Sequence, residues 1–292
     1  MSTDFTHAVM GVGFTPATEP LLMCLPEMVS MGVEEFTLVH VLDVHYPRAP
    51  DTEHIPHYEE RLRKIAARLE ADGLRAHTEV RIGDPASELL AAAGERGACL
   101  VVAGSHGEGV FGEALLGSVT SALIQRSTLP VLILPLEVFE DEGAQQCRVV
   151  RTDLCAHILH PTDFSDVAER AYAYLAEIAS CAGRVTVLHA QDDSRATREQ
   201  RANVEEYDRL DRARLARLQA DLRDRGAAEV GVRLEHGKPG AVIVEITDEI
   251  GASLIVLGSQ GRGYLSEVML GSASRHVVRH AHAPVLLVPA PR

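Results

Sequence analysis

Hydrophobic positions along the chain fall into two rhythms. Unbroken apolar runs such as Leu254-Ile255-Val256-Leu257 and Val285-Leu286-Leu287-Val288 read as strands buried on both faces. Elsewhere Ile55, Tyr58, Leu62, Ile65 and Leu69 follow a 3,4,3,4 spacing that places them on one side of a helix. In the second half, strands are predicted at 157–160, 185–188, 230–234, 254–257 and 285–288. Helices are predicted there at 166–182, 195–225, 241–251 and 271–280, and the first half follows the same plan. Val204, Tyr207, Leu215, Leu218 and Leu222 give the long helix an apolar side. Its mixed acids and bases read as a solvated face with i,i+4 pairs, a partner-docking face being the alternative. Short strands alternating with crossover helices imply parallel, doubly wound sheets. Such sheets bind ligands beyond the carboxyl ends of their strands.

The plan is written twice. Gly83-Asp84-Pro85 matches Gly237-Lys238-Pro239, and the run 130–135 matches 284–289, both at an offset of 154 residues. Earlier landmarks pair at 149 to 150, His40 with His189 and Phe14 with Phe164. The slip falls at the second helix, where a surface insertion costs little. The halves are therefore residues 1–137 and 155–292. Residues 138–154, with Glu140-Asp141-Glu142-Gly143 and Gln145-Gln146, read as a polar linker.

Glycine loops follow the fourth strand of each half. Gly258-Ser259-Gln260-Gly261 is followed nine residues later by Gly271-Ser272, and Gly104-Ser105-His106-Gly107 has the same nine-residue gap to Gly117-Ser118. Glycines between a buried strand and a helix let backbone N–H groups approach an anion that side chains would exclude. The helix start adds unpaired N–H groups and the positive end of its dipole. The spacing points to phosphate.

With Pro161-Thr162-Asp163-Phe164-Ser165 after the first strand and Ala283-Pro284-Val285-Leu286-Leu287-Val288-Pro289 at the end, both halves resemble the universal stress protein family. The resemblance implies two tandem five-stranded α/β domains of the adenine-nucleotide α-hydrolase-like, Rossmann-like type. It implies ATP or AMP binding in members with the G-x-x-G-nine-G-[S/T] pattern, although the family also contains members that do not bind ATP. By that likeness Asp163 would bond the adenosine part, with Pro161 and Thr162 shaping the turn and the Ala190 backbone meeting the adenine edge. Leu257 and Gly258 would lie near ribose and α-phosphate, while Gly261, Gly271, Ser272 and Ala273 would cradle phosphates. Ser272 offers a hydroxyl and an N–H at a helix start, and Arg262 adds a positive charge. Mg²⁺ suits such a site because it keeps waters and leans on nucleotide oxygens. The family's roles are mostly stress resistance and regulation, and its domains often pair through the last strand. That implies pairing of the two halves, a further homodimer and a regulatory protein partner.

The first half departs from the pattern. Gly13 stands where Asp163 stands, and Glu108 stands where Arg262 stands. Loss of a hydrogen bond costs about 1 kcal/mol, and a carboxylate beside phosphate adds repulsion. Gly104, Gly107, Gly117 and Ser118 therefore form the weaker candidate cradle, and the second half is the expected principal site.

The remaining chemistry narrows the picture. A net charge of -14 lacks the basic excess of a non-specific nucleic-acid binder or of a protein held on anionic membranes. No apolar run reaches the ~20 residues needed to span a bilayer, and no secretory signal is visible. Five scattered cysteines suit a reducing cytoplasm better than a disulfide framework. Cys99, inside a predicted strand, reads as a small core residue. His276, His280 and His282, and the pair His54 and His57, have spacings a metal could use; a helix C-terminus, where cations are favoured, explains His280 and His282, and exposure explains His54 and His57, so no metal site is assigned. His40 and His189 read as packing residues near the cleft. The chain lacks a G-x-x-x-x-G-K-[ST] loop and a G-x-S-x-G elbow, and no nucleophile with a neighbouring base can be named, so no catalytic residue is assigned. Three readings follow: a nucleotide-sensing regulatory module, a slow ATPase or self-phosphorylating protein, and a nucleotide-free scaffold.

Overall fold

The computed structural model of the chain describes residues 5–44, 54–105, 116–141, 144–192, 203–261 and 270–291. It separates into two compact units, Met1–Val150 and Arg151–Arg292. The first contains β1 (His7–Gly11), α1 (Thr18–Leu22), α2 (Leu25–Ser30), β2 (Glu35–Asp43), α3 (Ile55–Ala71) and β3 (Arg75–Gly83). It continues through α4 (Pro85–Arg96), β4 (Leu100–Gly104), α5 (Ser118–Arg126) and β5 (Val131–Leu134). Its parallel sheet has the order β5-β4-β1-β2-β3. The connection reverses direction between β1 and β4, opening a crevice there.

Regular structure runs through much of the stretch 138–154, expected as a polar linker. Leu136–Asp141 (β6) and Ala144–Val149 (β7) pair as an antiparallel ribbon, from Leu136 opposite Val149 to Asp141 opposite Ala144. Polar composition does not prevent this, because cross-strand pairs can hold a ribbon with little core. Arg148 donates to its directly opposed Glu137 at 2.6 Å, and its guanidinium lies 5.8 Å from the Phe139 ring centre.

The second unit contains β8 (His157–Pro161), α6 (Asp166–Glu177), β9 (Arg184–Gln191), α7 (Val204–Asp224) and β10 (Val230–His236). It closes with α8 (Pro239–Ile250), β11 (Leu254–Gly258), α9 (Ser272–His280) and β12 (Val285–Val288). Its sheet runs β10-β9-β8-β11-β12, parallel throughout, with the reversal between β8 and β11. The central strands β8 and β11 are buried along their whole length, as the apolar run of β11 predicts, although β8 also buries His157 and His160. Helix ends follow local chemistry. Pro239 opens α8 with a preset φ, and Gly251 ends it in the left-handed conformation at φ 61°. The helix expected at 166–182 stops at Glu177 and gives way to a 3₁₀ turn over Ala179–Cys181. Cys99 lies one residue ahead of β4 and is only half-buried; its Sγ donates to the His7 carbonyl at 3.1 Å. Among the described residues no helix is long and apolar enough to cross a membrane.

Candidate functional site

The loop leaving β8 is held from several sides. Thr162 N donates to Leu188 O at 2.8 Å, which ties the loop to β9. His189 Nδ1 lies 2.7 Å from Thr162 O; a carbonyl can only accept, so Nδ1 carries the proton. Phe164 adopts φ 57°, a costly conformation for an aromatic residue. Its ring is retained 4.7 Å from His189, with the Arg214 guanidinium 5.2 Å from the ring centre. Ser165 donates to Asp163 Oδ1 through both N (3.1 Å) and Oγ (2.6 Å), then caps α6 by accepting from Ala168 N. Asp163 thus shapes the turn ahead of the cap.

The glycine loop after β11 meets this turn. Gly271 N donates to Ser259 O at 2.8 Å, and Ser259 N donates to Val288 O at 2.7 Å. Ser274 Oγ donates to Gly258 O at 2.8 Å. A Cβ on Gly261 would stand 2.5 Å from Asp163 Oδ2, and one on Gly258 would stand 3.0 Å from the Val167 backbone oxygen. These glycines answer to close packing as well as to any ligand. Gly271, the N-cap of α9, offers no side-chain cap, so the first N–H groups of the helix have no intrahelical acceptor. That end carries partial positive charge.

The two loops border a cleft of about 1120 Å³ at the carboxyl ends of β8 and β11. Pro161, Thr162, Asp163 and Ala190 line one side. Leu257, Gly258, Gly261, Gly271, Ser272 and Ala273 line the other. Arg262 lies outside the described residues.

Several further residues line the cleft that the sequence did not assign to it. Val204, Tyr207 and Leu210 bring apolar surface from α7, and Val204 and Leu210 are 43% and 44% exposed, a wall suited to a flat ring. Asp211, expected on a solvated helix face, is buried. It accepts from Gln191 Nε2 at 2.9 Å and pairs with His189 Nε2 at 3.4 Å. Lys238, the N-cap of α8, adds an exposed cation. His276 lies where a Cβ on Gly240 would approach its own Cβ to 2.7 Å. Burial, then the neighbouring His280, push its pKa down. The His276 and His280 rings stack at 4.2 Å, while His282 turns to Asp248 at 3.4 Å. Among the described residues no group of three or more His, Cys, Asp or Glu could hold a metal ion.

The first unit repeats the cradle. Gly117 N donates to Ser105 O at 2.8 Å, and Thr120 Oγ1 donates to Gly104 O at 2.6 Å. Ser118 opens α5 as Ser272 opens α9. Gly107 and Glu108 lie outside the described residues.

A sequence profile of the universal stress protein family matches residues 7–135 and again 156–289. A universal stress protein of Mycolicibacterium smegmatis is 28% identical over 295 aligned residues, covering 96% of each chain. One from Mycobacterium tuberculosis is 31% identical over 193 residues, which is 64% of this chain and 61% of that protein. The crystal structure of a universal stress protein from Archaeoglobus fulgidus superposes with a TM-score of 0.70 at 25% identity, covering 97% of this chain and 98% of that one.

Proposed function

Since the chain belongs to the universal stress protein family, with one matching segment in each unit, we propose that it binds an adenine nucleotide, ATP or AMP, chiefly in the second unit and acts as a regulatory module in the stress response. One observation carries this reading: a single cleft joins the helix-start N–H groups of α9, which no side chain of the N-cap residue caps, a glycine loop and an apolar wall. The N–H groups suit phosphate and the wall suits a base. Ser272 and Ala273 would face the phosphates, with Arg262 and Lys238 supplying positive charge. Asp163 would meet the adenosine part beside Pro161 and Thr162, and the Ala190 backbone would meet the base edge. Mg²⁺ would arrive with the phosphates and lean on their oxygens. The first-unit cradle of Gly104, Gly107, Gly117 and Ser118 would bind more weakly. A nucleotide acts as a switch only through a difference in affinity between two conformations, so a regulatory partner would have to distinguish the same two.

Calorimetric titration of the purified chain with Mg-ATP, and separately with AMP, tests the proposal. One strong site per chain is expected, and the double variant Asp163→Ala, Gly261→Ala should weaken it about tenfold or more while circular dichroism stays unchanged. Full affinity in that folded variant would reject the assigned cleft.

A further inference from the structure

At the opposite end of the second-unit sheet from the nucleotide cleft, two cysteines meet. Cys155 precedes β8 and is buried; Cys181 ends the 3₁₀ turn after α6 and is half-buried. Their Sγ atoms stand 2.7 Å apart although the residues are 26 apart in the chain. A disulfide bond is about 2.05 Å long, so little sulfur movement separates this contact from a covalent link.

The backbone around the pair is already fixed. Gly183 N donates to Cys155 O at 2.8 Å, Arg184 N donates to Ala156 O at 3.1 Å, and Cys181 N donates to Ile178 O at 3.2 Å. Gly183 permits that approach, because a Cβ there would stand 2.9 Å from the Ala156 carbonyl oxygen. The equivalent corner of the first unit is filled by Phe5 and Met31, both buried, so apolar filling satisfies the fold and a thiol pair is not needed for packing. The other thiols are placed differently. Burial pushes the Cys24 thiol up to about 12 and also raises that of Cys147. Groups so held stay protonated and react slowly with oxidants.

We propose that Cys155 and Cys181 form a reversible disulfide when the chain meets a peroxide. The sulfur of Cys181, the more exposed of the two, attacks one peroxide oxygen and the O–O bond breaks. Cys181 becomes a sulfenic acid, and the leaving oxygen departs as water after taking up a proton. Cys155 sulfur then attacks Cys181 sulfur, the S–O bond breaks, and the departing hydroxide takes the Cys155 proton as a second water. Two thiols lose two electrons in all, and one peroxide becomes two waters. A dithiol reverses the bond by exchange. The bond joins the start of β8 to the turn following α6, so β8, the Asp163 loop and α6 become one covalent ring with the loop at its far end.

Peptide mapping tests this on the full chain. Trypsin cuts after Arg151, Arg170 and Arg184, which places Cys155 and Cys181 on the neighbouring peptides 152–170 and 171–184. After hydrogen peroxide the intact mass should fall by two hydrogens, and alkylation of the denatured chain should then add three groups, against five on the reduced chain. The two peptides should run as one linked species that dithiothreitol separates. The variant Cys155→Ala should instead leave Cys181 as a sulfenic acid that dimedone labels. The proposal is overturned if both cysteines of the oxidised chain remain open to alkylation, or if either is linked to Cys24, Cys99 or Cys147. It is equally overturned if Cys181 advances to the sulfinic acid while Cys155 is still alkylated.

Discussion

The two units share a skeleton and differ where a ligand would lie. His7 Nε2 meets Thr37 Oγ1 at 2.9 Å in one, and His157 Nε2 meets Thr186 Oγ1 at 2.8 Å in the other. His40 holds Val12 O at 2.7 Å as His189 holds Thr162 O. Phe14 takes φ 54° as Phe164 takes 57°. Around the cleft the likeness ends. Gly13 replaces Asp163 and Tyr58 replaces Asp211, with Leu62 and Leu215 buried in matching places one turn later. Tyr58 stacks on Phe14 at 5.7 Å and lies 4.4 Å from His40, so an aromatic ring faces the histidine that a carboxylate faces in the second unit. Asp84 replaces Lys238; it caps α4 through Ser87 N at 3.0 Å and accepts from Arg126 at 2.8 Å. Backbone hydrogen bonds hold the cradle whatever binds there, which leaves the ligand-facing side chains free to diverge.

The widest expected gap between the units concerns acid. Met10 of β1 corresponds to His160 of β8, whose ring is fully buried and whose Nε2 has no hydrogen-bond partner among the described residues. Burial lowers its pKa to about 4, against which its bond to Val256 O acts only weakly. The unfolded chain binds a proton near pH 6.5 while the folded one does not, so stability is lost as pH falls from about 6.5 towards 4. The loss amounts to about 3 kcal/mol for this group. Urea unfolding at pH 7 and pH 4.5 should show the second unit weakening more, and His160→Met should flatten its profile. His7 and His157, both lowered chiefly by burial, add a shared loss of the same sign.

Nucleotide affinity gives the next largest effect. Asp163→Ala should cost about 1 kcal/mol or somewhat more in calorimetry. Grafting the second-unit residues into the first, as Gly13→Asp with Tyr58→Asp and Glu108→Arg, should raise the stoichiometry from one towards two. Among the described residues a Cβ on Gly13 would meet only Thr15 side-chain atoms, the nearest at 3.4 Å. A stoichiometry unmoved by the triple graft would show that these side chains are not what separates the units.

Lys238→Asp should produce the smallest change, and in two directions. It supplies the side-chain cap that α8 lacks, worth about 1 kcal/mol in thermal melts. It also reverses a charge on the cleft wall, so ATP affinity should fall a few-fold. A rise in both quantities would separate Lys238 from the ligand.

Much of this was legible from residue order. Strands, helices and glycine turns followed from periodicity and from the conformational freedom of glycine, which act within a few residues. Misreadings arose where local composition was ambiguous. The polar stretch 138–154 gave no sign of strands because a two-stranded ribbon needs no apolar run. Asp211 looked solvated because a charged helix does not announce which single carboxylate turns inward.

The succession of strands and helices and the position of the glycine cradles were thus set by patterns within short windows of the chain, and the repeat by the likeness of its two halves. The meetings of Asp211 with Gln191 and of Cys155 with Cys181 were not. Each joins residues about 20 or more positions apart, and their separation depends on how a crossover helix packs back on the sheet, a geometry that no local rule of spacing encodes.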